Sequence, residues 1–99
     1  MKELKLVLTY KWYDMIDSGE KPEEYRNITP FYRSRLETGR NEPDLRWRKY
    51  DIVTLYRGYA KNRRTMSFKY GGARIGAGQE KWGAKPGKKY YVIKLGERI

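Results

Sequence analysis

Leu4, Leu6 and Leu8 alternate with Lys5 and Val7, so the chain opens on a strand with one apolar face. The period then changes. Trp12, Met15 and Ile16 fall at i, i+3 and i+4, with Thr9 placed to act as N-cap and Gly19 to close at C′, which predicts a helix of about two turns over 10–18. Residues 21–26 (Lys-Pro-Glu-Glu-Tyr-Arg) are too charged for a core strand, and Pro22 fits only an edge strand or a strand's beginning. Thr29-Pro30 opens a second helix, with Thr as N-cap and Pro at N1, running through Leu36 until Gly39. Residues 39–49 read as a loop. Ile52, Val53 and Leu55 give the run 50–56 apolar residues on both faces, as a central strand requires, and Gly58 marks its end. Beyond the basic loop Lys61-Asn62-Arg63-Arg64, Met66, Phe68 and Tyr70 alternate with Thr65, Ser67 and Lys69 in another strand, and residues 90–95 form the closing one.

Six of the ten glycines lie between positions 71 and 87 without forming a nucleotide fingerprint. Gly76-Ala77-Gly78 is followed by Lys81 where a dinucleotide loop needs its third glycine, and Gly78…Gly83 runs into Ala84-Lys85 instead of the Gly-Lys-Ser/Thr of a P-loop. The glycines read instead as tight turns or bulges. Little helix and several short strands predict an α+β, mainly β fold: a small, partly open barrel of about five strands with two short helices, one domain over 1–99.

Composition narrows the chemistry. A 99-residue chain buries only about 65% of the surface its unfolded form exposes, which leaves no room for a second, catalytic domain. Only 18 residues are Leu, Ile, Val or Phe, a disorder-like proportion, but ten Tyr and three Trp supply apolar area and indicate a folded domain. With no Cys and no His, disulfides, thiolate or imidazole metal sites and His-dependent triads are excluded, so any catalysis must use Lys, carboxylates or hydroxyls. Neither a metal nor a cofactor is expected. The opening apolar run is too short for a signal peptide and no stretch approaches the ~20 apolar residues of a membrane span, so the reading is a soluble, cytoplasmic protein without a membrane role.

The net charge of +11 is unevenly placed. Residues 1–56 carry 11 basic and 10 acidic side chains, whereas 57–99 carry 12 basic residues against Glu80 and Glu97 alone. A one-sided field of this kind attracts polyanions, and interleaved aromatics point to nucleic acid. Arg57, Lys61, Arg63 and Arg64 are the candidate phosphate contacts, the last three on a loop tip, and their alternative role is solvation. Asp14, Asp17 and Glu20 read as the wet face of the first helix.

The segment Gly19-Glu20-Lys21-Pro22-Glu23-Glu24-Tyr25-Arg26 contains Gly-x-Lys-x-x-Glu-x-Arg directly after an amphipathic helix. This resembles the signature of the ASCH family. With the order strand, helix, motif strand, and a tail of Gly78-Gln79-Glu80-Lys81-Trp82-Gly83 and Tyr91-Val92-Ile93-Lys94-Leu95-Gly96-Glu97, the chain is similar over nearly its whole length to small single-domain bacterial and phage members. The resemblance implies a PUA-like β-barrel with an RNA-facing cleft beside the motif strand. Residue chemistry fits that implication: Glu24 and Arg26, two apart on a strand, share a face and can pair, and Lys21 reaches the mouth of the same groove. A carboxylate accepts from an exocyclic amine while Arg and Lys hold phosphate or a base carbonyl. Tyr25 and Trp82 are candidates for stacking on exposed bases, with packing as the alternative.

The leading expectation is thus a monomeric RNA- or nucleotide-binding module. Some family members are amidohydrolases acting on N4-acetylcytidine-like nucleosides and others cut RNA, which makes an enzyme the alternative, with Lys21 and Glu24 as its catalytic groups. The amidohydrolase pattern has a Thr hydroxyl where this chain has Glu24. A second alternative is a regulatory domain whose basic half meets an acidic protein partner.

Overall fold

A computed structural model describes residues 1–38 and 46–99, so the greater part of the loop expected over 39–49 lies outside the described residues. Five strands, β1 (Glu3–Leu8), β2 (Glu23–Arg26), β5 (Ile52–Arg57), β6 (Thr65–Ala77) and β7 (Lys89–Arg98), form one mixed sheet in the order β1-β5-β6-β7-β2. Only β1 and β5 run parallel; every other pair is antiparallel. Two-residue strands β3 (Glu37–Thr38) and β4 (Arg46–Trp47) pair separately. Helix α1 (Tyr10–Asp17) follows β1 and helix α2 (Pro30–Leu36) follows β2.

The expected α+β, mainly β architecture with five principal strands and two short helices is what the chain adopts. No backbone ladder joins β1 to β2 among the described residues, yet Arg26 on β2 donates from Nη2 to the Val7 carbonyl on β1 at 2.9 Å. The sheet thus stays open by its backbone pairing, and a side chain links its two edge strands across a seam.

Leu4, Leu6 and Leu8 point inward from β1 against Val53 and Leu55 of β5, Met66 and Phe68 of β6 and Tyr91 and Ile93 of β7. Each fully buried aliphatic side chain contributes about 1.5–3 kcal/mol. On α1 the buried residues are Tyr13 and Ile16, with Trp12 and Met15 half-buried, so an aromatic outside the simple periodic pattern supplies much of the helix's contact. Thr9 precedes α1 without a side-chain cap bond, whereas the Thr29 hydroxyl accepts from Tyr32 N at 3.2 Å beside Pro30 at the start of α2.

Strand β6 runs seven residues past the expected end at Tyr70. The register against β7 shifts between Phe68 and Tyr70 and again between Tyr70 and Ala73, so the Gly71-Gly72 pair is a bulge inside a strand. A Cβ on Gly71 would stand 2.7 Å from the Lys94 carbonyl oxygen, closer than any side chain tolerates. Glycine there lets β7 cross closely enough for β6 to resume pairing up to Ala77, which carries the chain to the far side of the molecule and into the turn bearing Trp82. Among the described residues no helix is long and apolar enough to cross a membrane.

Candidate functional site

Pairing with the central part of β7 fixes β2, with Glu24 opposite Ile93 and Arg26 opposite Tyr91. Alternation along β2 turns Glu24 and Arg26 toward the same side, as the sequence requires. One carboxylate oxygen of Glu24 accepts from Lys21 Nζ and from Tyr25 N at 3.1 Å; the other accepts from Arg26 Nη2 at 2.9 Å. Arg26 also donates from Nη1 to the Tyr32 hydroxyl at 2.9 Å. Two cations and one carboxylate thus form a single network, with only 1% of the Lys21 side chain and 8% of the Glu24 side chain exposed.

Lys21 does not reach the mouth of a groove. The chain turns at Gly19, and Lys21 N is bonded to the Met15 carbonyl at 3.1 Å, which draws the side chain inward. Its ammonium lies 5.5 Å from the Trp12 ring centroid and 5.4 Å from that of Tyr25, so two aromatic faces and a carboxylate replace the lost water. It works from behind Glu24, as an anchor for the carboxylate rather than a contact for a ligand.

In front of this network is a cavity of about 220 Å³ set on the seam. The ends of β1 and the start of α1 supply Val7, Leu8, Thr9 and Trp12; β2 supplies Glu24, Tyr25 and Arg26; Trp82, Gly83 and Tyr90 close the far wall. Trp82 is held by a 3-10 turn (Glu80–Trp82) ending at Gly83, whose φ of 101° is the left-handed conformation. A Cβ at Gly83 would also come within 2.8 Å of Trp12 Cζ2, so glycine is what lets the two indoles share this wall. Buried Arg26 Nε and Trp82 Nε1 have no acceptor among the described residues. The Tyr70 hydroxyl, away from this cavity, is likewise buried without a partner among the described residues.

Three lysines that the sequence reading does not single out lie beside aromatics of the cavity. Lys11 Nζ lies 4.7 Å from the Trp12 centroid, Lys81 Nζ 4.8 Å from Trp82 and Lys88 Nζ 5.1 Å from Tyr90. All three lysines are exposed, so three of the four cavity aromatics have an exposed cation beside them, and Tyr25 has the buried Lys21. The four basic residues chosen from the sequence lie elsewhere. Arg57 grips Asp14 through Nε and Nη2 at 2.9 and 3.1 Å, and Arg64 Nη2 lies 3.1 Å from Asp17, which also takes Arg98 Nη1 at 2.7 Å. Arg63 donates to the Gly58 carbonyl at 3.2 Å, and Lys61 is exposed. Asp14 and Asp17 are accordingly more than a wet face: they tie α1 to β5, to the start of β6 and to the end of β7. Hydrogen bonds from Arg57 and Arg98 hold the two carboxyls below the usual carboxylate range.

No protein-family model, curated protein or solved structure matches the chain. The site therefore rests on its own geometry. Tyr25 crosses from the motif strand to the far wall: its hydroxyl donates to Glu23 Oε2 at 2.6 Å and accepts from Gln79 N at 2.9 Å, and its ring lies 5.7 Å from that of Tyr90. Burial pushes this hydroxyl up to about 12, aided by the bond to Glu23, and burial likewise pushes Tyr70 up to about 12. Both phenols stay neutral in the folded chain at pH values where the unfolded chain ionises near its ordinary value of about 10. Stability is expected to hold up to about pH 10 and to fall between about pH 10 and 12, read as the urea midpoint. A Tyr25→Phe/Tyr70→Phe variant with an equally steep alkaline loss would refute this assignment.

Proposed function

We propose that the protein is an RNA- or nucleotide-binding module of ASCH type, with the seam cavity as its base-sized pocket and the surrounding lysines as its phosphate contacts. The observation that carries the reading is the convergence of Glu24 and Arg26 with the rings of Trp12, Tyr25, Trp82 and Tyr90 on one cavity. At about 220 Å³ it is smaller than the roughly 300–1,000 Å³ of sites that enclose drug-sized ligands, which suits one base rather than a dinucleotide. A flat heterocycle can lie against Trp12, Tyr25, Trp82 or Tyr90, with its polar edge toward the Glu24–Arg26 pair. Lys11, Lys81 and Lys88, each beside an aromatic of the cavity, would supply the phosphate contacts.

Binding is favoured over turnover because Lys21, the candidate base or nucleophile, is sequestered behind Glu24, and the position after it in the motif pattern is a carboxylate engaged by two cations. The test is a titration of fluorescein-labelled single-stranded RNA over a range of salt. Affinity should fall with a log–log slope of about −2 if the three lysines each displace a counterion, and each Lys→Gln change should flatten it by about 0.7. A slope near zero would overturn the phosphate role, and acetate release from N4-acetylcytidine would restore the enzyme reading.

A further inference from the structure

A second hollow adjoins the seam cavity and is larger, about 390 Å³, and it shares the wall Val7, Leu8 and Thr9. Its other sides are Tyr10, Gly58 and Tyr59. Tyr59 is 84% exposed and Tyr10 is 54% exposed, an unusual pair of open aromatic faces beside an apolar hollow. Tyr10 is nevertheless held firmly: the Arg57 guanidinium lies 4.1 Å from its ring centroid and is itself fixed by its two bonds to Asp14. Arg57 thus acts as the backing of a platform. The loop that continues from Tyr59 carries Lys61, Arg63 and Arg64 and no carboxylate. Arg64 is engaged by Asp17, and Arg63 by the Gly58 carbonyl and the Tyr56 ring, whereas Lys61 makes no hydrogen bond or ion pair among the described residues and is the loop's free cation.

We infer that Tyr10 and Tyr59 form a second nucleotide subsite, so that the ligand is a single-stranded RNA chain crossing from the seam cavity over Val7-Leu8-Thr9 to the 58–64 loop, rather than a free nucleotide. The inference rests on the seam cavity holding one base of that chain. Exposed aromatic faces stack any base, because every base has a π-face, and cations beside them hold the intervening phosphate. The cationic, carboxylate-free loop fits a polyanion where an apolar hollow alone would leave the occupant open. Sharing one wall makes the two subsites successive along a strand, which a mononucleotide cannot exploit.

The experiment compares the 5′-monophosphates of adenosine, cytidine and uridine with the corresponding RNA octamers at fixed salt, using wild type, Tyr59→Ala and Trp82→Leu, each checked for folding by circular dichroism. Tyr59 is so exposed that its replacement leaves the core untouched. Octamers should bind more tightly than monophosphates, and Tyr59→Ala should weaken octamers by about tenfold while leaving monophosphates unchanged. Equal affinity for octamer and monophosphate, or a Tyr59→Ala variant that binds octamers as wild type does, overturns the subsite and leaves the seam reading intact. Trp82→Leu should weaken both ligand classes. If it changes neither while Tyr59→Ala still weakens octamers, the second surface stands as an RNA contact and the seam cavity is overturned as its neighbour. Failure of wild type to bind any of the six probes overturns both.

Discussion

A Glu24→Gln variant is expected to lose about 3–5 kcal/mol of folding free energy, because it removes the one anion between two buried or half-buried cations. For a chain of this size that corresponds to a fall in Tm of more than about 10 °C. Lys21 suffers most: at 1% exposure it has no route to water, and the faces of Trp12 and Tyr25 alone do not replace a carboxylate. The companion experiment is Lys21→Met/Glu24→Gln. Removing the buried ammonium together with its partner should recover most of the lost stability, since a neutral pair of similar volume avoids the desolvation of an unpaired charge. A double variant as unstable as the single one would show that the network is held by packing and not by charge compensation. The cycle is measured by urea unfolding, with the interaction energy taken from the four midpoints and slopes.

Arg26→Lys should be the next most damaging change at the site, at about 1.5–3 kcal/mol, although it keeps the charge. The guanidinium reaches three partners on three elements: Glu24 on β2, Tyr32 on α2 and the Val7 carbonyl on β1. A lysine ammonium cannot span that spread, because its donors radiate from one atom instead of a planar fork. The seam should loosen first, so hydrogen exchange is expected to accelerate at the β2 and β1 edge amides while the β5–β6 ladder remains protected. Uniform acceleration across the sheet would mean that Arg26 supports the whole core rather than the seam.

Much of this arrangement is legible in the sequence. The Leu4, Leu6, Leu8 alternation, the apolar run of β5, the Thr29-Pro30 helix start and the same-face placement of Glu24 and Arg26 all follow from local periods and capping chemistry. What local rules miss depends on distant partners. Gly71 and Gly72 read as a tight turn or a bulge, and only the close passage of the Lys94 carbonyl decides for a bulge inside a continuing strand. Lys21 reads as exposed because lysine usually is; it is buried because Trp12 on α1 and Tyr25 on the next strand meet over it. Density along the chain favours Lys61, Arg63 and Arg64 as the phosphate contacts. Spatially, Arg57, Arg64 and Arg98 are drawn to Asp14 and Asp17, while Lys11, Lys81 and Lys88, isolated in sequence, lie beside aromatics of one cavity.

The seam spanned by Arg26 also bears on how copies of this chain behave toward one another. An open sheet ends in two rows of unsatisfied backbone groups, each a template for a strand from a neighbour. Here a guanidinium links the two edge strands beside an aromatic-walled hollow, so a neighbour's strand approaching either edge meets that side chain and that hollow. A ligand filling the hollow, as proposed, would cover the same edges, and concentrated ligand-free samples should then be the first to aggregate.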